Sequence, residues 1–198
     1  MMTADELRAF EREVAVAFEA KRIRAPIHLS DGNEEQLIEI FREIAPYDWV
    51  FSTWRSHYHA LLHGVPREMV MSEIMAGRSM MLHFPGWRFF TSAIVGGILP
   101  IACGVAAASK EDNQIVNPWV WCFVGDMTAS IGAFHDAEKF AVGHGLPITF
   151  VVEDNGLATN TPTEEAWGIG RSNRRTIRRY TYDRGAYPHV GSGPYVSF

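Results

Sequence analysis

The chain has 198 residues, of which 47% are hydrophobic and 21% charged, and its formal net charge is −5. That length and balance suit one domain with a full apolar core, and the negative charge argues against general nucleic-acid binding. No segment reads as a membrane span: Ser92 to Ser109 is uncharged, but its glycines and proline fit a loop followed by a packed helix.

From the N-terminus, Thr3 with Glu6 three residues on has the form of a capping box, so a helix is expected to about Lys21. Leu7, Phe10, Val14 and Phe18 would be its buried stripe. Asp5, Glu6 and Glu11 give this end no signal-peptide layout. Gly32 and Asn33 open a second helix, expected to run through Ile44 on apolar Leu37, Ile38, Ile40 and Phe41. Pro66 suits the first turn of a third, and Gly77 stops it. Residues 78–96 read as loop, and Leu99 to Lys110 as a helix rich in Ala and Gly. A strand over 119–124, a helix over 130–143, a strand over 148–153 and a loop from Asn155 follow. Strand alternating with helix predicts a parallel α/β fold. Arg171, Arg174, Arg175, Arg178 and Arg179 then cluster, either as a solvated helical face or as a surface for an acidic partner or an anionic substrate. The aromatic tail from Tyr180 to Phe198 predicts a final strand or arm. Cys103 and Cys122 lie in apolar segments, which suits buried reduced thiols and a cytoplasmic location.

Two strand ends carry the chemistry. Gly125-Asp126 closes the apolar run Trp119 to Val124, and Asp154-Asn155 follows the run Ile148 to Val152 with only Glu153 between. A helix-length stretch separates them, so both pairs fall at the carboxyl edge of one sheet, where open α/β folds bind ligands. A carboxylate and an amide oxygen suit a hard cation such as Mg²⁺, which usually also takes phosphate oxygens. The helix expected after Met127 and Thr128 would offer free N–H groups to a diphosphate. The bland alternative is a strand-end turn with Asp126 as a helix cap.

Gly125-Asp126-Met127 and Asp154-Asn155 have the layout of the thiamine diphosphate motif, G-D-G followed by N-N. Ile27 to Glu34, Phe51 to Gly64 with Arg55 and His57, and Ala93 to Gly104 precede it in order. Over roughly residues 20 to 165 the chain thus resembles the alpha subunit of the first component of 2-oxo acid dehydrogenase complexes. The resemblance implies a three-layer thiamine diphosphate-binding fold of the diphosphate type across 1–198, with a helical arm to about 25 and a C-terminal arm from about 171. It implies Mg²⁺ on Asp126, Asn155 and the backbone oxygen of Leu157. Arg55 would bind the diphosphate, Trp54 stands where the family has tyrosine, and Gly125, Met127 and Thr128 would border the diphosphate. Ala93 and Val95 match positions against the aminopyrimidine ring. His28 matches a histidine facing the active centre, with a substrate-orienting or proton-handling role, and His57 follows Arg55 as the family histidine does. The plain alternatives are hydrogen-bonded structural histidines and a surface ion pair for Arg55. Met127 replaces a glycine, so its side chain should turn away from the diphosphate. Asp154 replaces the first asparagine, as in transketolase-like sequences, and adds negative charge.

Family members continue past the length of this chain into a serine- and histidine-bearing loop over the cofactor. His189 is the residue here that could stand in for that loop's histidine. The resemblance further implies a separate pyrimidine-binding beta-type subunit, in a heterodimer or heterotetramer, and decarboxylation of a 2-oxo acid with transfer of the acyl or aldehyde unit. A transketolase-like two-carbon transfer or a carboligation is the nearest alternative, and a degenerate non-catalytic subunit is the alternative of another class. His57, His59 and His63 lack a supporting Cys or carboxylate for zinc, and no G-x-G-x-x-G or P-loop follows a strand.

Overall fold

Alternating apolar residues on two central strands divide the interior in half. In β4 (Val120–Gly125) and β5 (Ile148–Asp154), Trp121, Phe123 and Val151 join one buried cluster, while Val120, Cys122, Val124, Phe150 and Val152 join another. Successive side chains of a strand point to opposite faces, so the sheet is buried on both sides and each side needs its own layer of helices. The computed structural model describes residues 1–111, 118–167 and 177–193. On one side lie α1 (Ala4–Glu19), α2 (Glu34–Phe41), α3 (His57–Leu62) and α4 (Arg67–Met75). On the other lie α5 (Ile98–Glu111) and α6 (Gly132–His144). The result is the expected three-layer α/β arrangement.

The other strands of the main sheet are β1 (Trp49–Ser52), β2 (His83–Phe84), β3 (Phe89–Thr91) and β8 (Arg178–Thr181). Among the described residues the sheet runs β2-β3-β1-β4-β5-β8, parallel throughout except where β2 meets β3. A small hairpin, β6 (Leu157–Ala158) with β7 (Thr161–Pro162), follows β5, and α7 (Thr163–Trp167) follows the hairpin. No helix among the described residues is long and apolar enough to cross a membrane.

Several features differ from the sequence reading. Residues 78–96 are not all loop, because Phe84 and Phe89 are buried and pair across a turn at Pro85–Trp87 to form β2 and β3. The short β1 sits between β3 and β4, and its four residues are too few to show a period. The N-terminal helix is as expected, with the Thr3–Glu6 capping box formed and Leu7, Phe10 and Val14 buried. Arg178 and Arg179 lie on a strand rather than a helical face, and Arg171, Arg174 and Arg175 fall outside the described residues.

Past β8 the chain turns back across the carboxyl edge of the sheet. Tyr182 N–H donates to Asp154 O at 3.0 Å, Gly185 N–H to Asp31 O at 3.1 Å and Gly191 N–H to Ile27 O at 2.8 Å. This strap joins the last described segment to the loop between α1 and α2.

Candidate functional site

β4 and β5 pair in parallel with Gly125 opposite Glu153, so Asp126 and Asp154 leave neighbouring strands side by side. Their side chains part there. Asp126, Glu153 and Asn155 line a cavity at the carboxyl edge, and Asp154 does not. Asp154 is buried, with its Oδ2 accepting from Arg179 Nη1 at 3.0 Å and its Oδ1 from Gly156 N–H at 3.0 Å. The charge that replaces the family's asparagine is thus met by Arg179 rather than turned on a ligand.

Asp126 is 4% exposed, and Thr163 Oγ1 donates to its Oδ2 at 2.5 Å. Burial pushes its pKa up, the Thr163 bond opposes that, and the Asp154 carboxylate adds to the rise. Asn155 Oδ1 accepts from Leu157 N–H at 3.0 Å, and its amide nitrogen lies 3.4 Å from the Tyr182 hydroxyl. Gly156, at φ 68°, makes the turn that brings Leu157 back to the cavity. Gly125, Met127 and Thr128 also line it. Met127 adopts right-handed helical backbone (φ −65°, ψ −43°), so the position does not demand glycine. Its sulfur accepts from Nε1 of Trp167, a residue outside the cavity lining, at 3.0 Å. A 3-10 turn over Thr128–Ser130 intervenes before α6, which opens only at Gly132.

Trp54 and Arg55 enter from the end of β1. The Arg55 guanidinium donates to two backbone carbonyls, Leu29 O and, at 3.3 Å, His189 O. Carbonyls fix its direction without cancelling its charge, which leaves it able to take an oxyanion. His189 lines the cavity on the strap. Burial, then Arg55 and then Arg184, pull its pKa down to about 4, so the ring is neutral at pH 7. His28 packs beside it, ring centroids 5.0 Å apart, and lies 5.6 Å from the Trp54 ring. Burial, foremost, and Arg55 lower His28 to about 3, and its Nδ1 is buried without a hydrogen-bond partner among the described residues.

Val95 lies on the cavity wall, whereas Ala93, His28 and His57 do not. His57 is fully buried between Glu11 Oε1 at 3.1 Å and Ser79 Oγ at 2.8 Å. His59 turns instead toward Glu153, 3.3 Å from its Oε1, so the α3 histidines do not converge. Several cavity residues were not singled out from sequence: Thr53, Glu153, Thr159, Tyr182 and Arg184. Glu153 accepts from the Tyr180 hydroxyl at 2.6 Å and from Asn33 Nδ2 at 3.3 Å. Its position directly before Asp154-Asn155 was the one available signal. Tyr182 and Arg184 belong to the strap, and no local pattern marks them.

The donor set is a carboxylate and an amide oxygen on adjacent strand ends, with a guanidinium that among the described residues is hydrogen-bonded to backbone carbonyls. It fits a hard cation together with a bound oxyanion.

Comparison with known proteins gives a consistent picture. The family model for the dehydrogenase E1 component matches residues 2–175. The alpha subunit of acetoin:2,6-dichlorophenolindophenol oxidoreductase from Bacillus subtilis (strain 168) is 31% identical over 171 residues, covering 81% of this chain and 51% of the relative. The pyruvate dehydrogenase E1 component subunit alpha of Porphyra purpurea is 30% identical over 184 residues, covering 85% and 51%. That of Zymomonas mobilis subsp. mobilis (strain ATCC 31821 / ZM4 / CP4) is 29% identical over 171 residues, covering 81% and 48%. The chain therefore spans about half the length of the curated relatives it matches.

Proposed function

The chain belongs to the dehydrogenase E1 component family, and on that premise we propose that it binds Mg²⁺ and thiamine diphosphate and acts as the alpha-type chain in decarboxylating a 2-oxo acid. One observation carries the reading: Asp126 and Asn155, on adjacent parallel strand ends, share a single cavity with Arg55. Asp126, Asn155 and the Leu157 carbonyl hold the metal. Arg55 takes a diphosphate oxygen, beside Gly125, Met127 and Thr128. Trp54 and Val95 border the rest of the cofactor, and Ala93, off the cavity wall, does not.

Once bound, the cofactor supplies the carbon nucleophile and the electron sink for decarboxylation. The chain's own residues position and protect. Neutral His189 keeps a proton on one ring nitrogen and offers the other as an acceptor, the form a proton-handling group needs near pH 7. His28 packs against His189 and Trp54 and orients them, while His57 acts through the fold. Residues 1–198 serve as one diphosphate-type domain. A separate pyrimidine-binding chain completes the site, and Val95 on the cavity wall with its apolar neighbour Ile94 (51% and 72% exposed) suits that contact. The two buried free cysteines support a cytoplasmic location.

A native mass spectrum of the chain purified from its source, with Mg²⁺ and thiamine diphosphate present, tests this. A second chain, together with cofactor mass that disappears in Asp126→Ala, is the expected result. A lone chain or homo-oligomer without cofactor overturns it in favour of a non-catalytic subunit.

A further inference from the structure

Of the five arginines clustered in the sequence, the two among the described residues, Arg178 and Arg179, do not line the cavity. Of the clustered five, Arg178 binds Glu43 at 2.6 Å and Arg179 binds Asp154 at 3.0 Å, so both charges are met by carboxylates within the fold. Arg184, isolated in sequence, lines the cavity with Arg55. Its Nη1 is 3.4 Å from Thr159 O and its Nη2 is 3.5 Å from Asn160 Oδ1. Both contacts are long for N–H···O bonds, and neither partner is a carboxylate.

The backbone that delivers Arg184 is fixed on both sides. Tyr182 N–H is tied to Asp154 O, Gly185 N–H to Asp31 O, and Ala186 N–H to Asp31 Oδ2 at 2.8 Å. The strap passes so near the Asp31-Gly32 turn that a Cβ on Gly32 would sit 2.3 Å from Asp183 O. Clamped backbone therefore carries a second guanidinium to a cavity that already holds one. Two like charges there repel each other, and Arg184 also disfavours protonation of His189. A bound oxyanion relieves that repulsion.

We propose that Arg184 is a second anion-binding cation of this cavity, which with Arg55 takes the terminal phosphoryl group of a diphosphate. The hairpin decides between the ends of a ligand. Thr159 and Asn160 form the turn between β6 and β7, and Leu157, which opens that hairpin, lies beside Asn155. Arg184 is therefore at the metal end, where a hard cation brings phosphate oxygens with it, and its fork suits a phosphoryl group. This rests on the function proposed above.

The test is calorimetric titration, with Mg²⁺, of thiamine diphosphate and of unphosphorylated thiamine into the chain as isolated with its partner, in parent, Arg184→Gln and Arg184→Lys forms. We expect Arg184→Gln to weaken thiamine diphosphate binding about 10- to 100-fold, Arg184→Lys to recover part of it, and thiamine binding to stay unchanged. Parental diphosphate affinity in Arg184→Gln overturns the inference and leaves the function standing. The same affinity with a raised KM for a 2-oxo acid also overturns it, reassigning the guanidinium to a substrate carboxylate. Failure of the parent to bind thiamine diphosphate overturns the function and this inference together.

Discussion

Gly185 passes over Asp31 so closely that a Cβ on it would lie 2.1 Å from the Asp31 carboxylate. These two residues, far apart in sequence, fix where the strap crosses the sheet edge and hence where Arg184 and His189 stand. Gly185→Ala should push the strap off its seat at a cost of about 1 to 3 kcal/mol. It should also weaken ligand binding, because two cavity residues move with the strap. Urea midpoints and limited proteolysis of the C-terminal segment read this. A variant that unfolds and resists cleavage like the parent would show that the crossing has slack.

The Arg179–Asp154 pair should behave as a buried ion pair. Asp154 is 1% exposed, and removing a charged partner of a buried carboxylate is expensive. Arg179→Ala should cost about 3 kcal/mol. Much of that cost should vanish in an Asp154→Asn background, where no charge is left to compensate. Urea unfolding of the parent, both single variants and the double variant gives the coupling. Additive effects would sink the idea.

The parts of the site legible in sequence are those whose signals are local. β4 and β5 are apolar runs long enough to recognise, and Asp126 and Asn155 follow at their ends. The strand β1 has only four residues, and β2 and β3 owe their existence to pairing with each other rather than to any alternation. The helix α3 is built on His57, Tyr58 and His59, polar residues buried only because Glu11, Glu34, Ser79 and Glu153 come from elsewhere to meet them. The arginines mislead for a related reason. A cluster of charge is visible in sequence, but whether each guanidinium finds a carboxylate is decided by tertiary contacts: Arg178 and Arg179 do, and the isolated Arg184 reaches the cavity.

His28 should make the fold acid-sensitive. Folded, it takes a proton only near pH 3, against an ordinary value of 6.5. Between those values the unfolded chain binds more protons, so stability rises with pH across that window and levels off above it. On going from pH 7 to pH 5 this histidine should remove at most about 2 kcal/mol. His189, lowered to about 4, acts in the same direction but is less buried. His28→Gln should flatten the dependence. Equal losses of urea midpoint between pH 7 and pH 5 in parent and variant would refute this.

The two histidines His57 and His189 should separate cleanly into stability and turnover. His57 is enclosed by Glu11 and Ser79, and Glu11 also accepts from Ser30 N–H at 2.6 Å. Removing the imidazole leaves a fully buried carboxylate short of a partner, so His57→Asn should cost about 3 kcal/mol while the folded fraction keeps its cofactor affinity. His189 holds Arg55 through its backbone carbonyl, a contact that survives truncation of the side chain. His189→Ala should therefore leave the urea midpoint and the placement of Arg55 intact. Turnover should still fall about 100-fold if the ring handles a proton, with the loss in kcat rather than in thiamine diphosphate affinity. Parental turnover in His189→Ala removes the ring from the chemistry, and lost cofactor affinity in folded His57→Asn would place that histidine in the site rather than in its support.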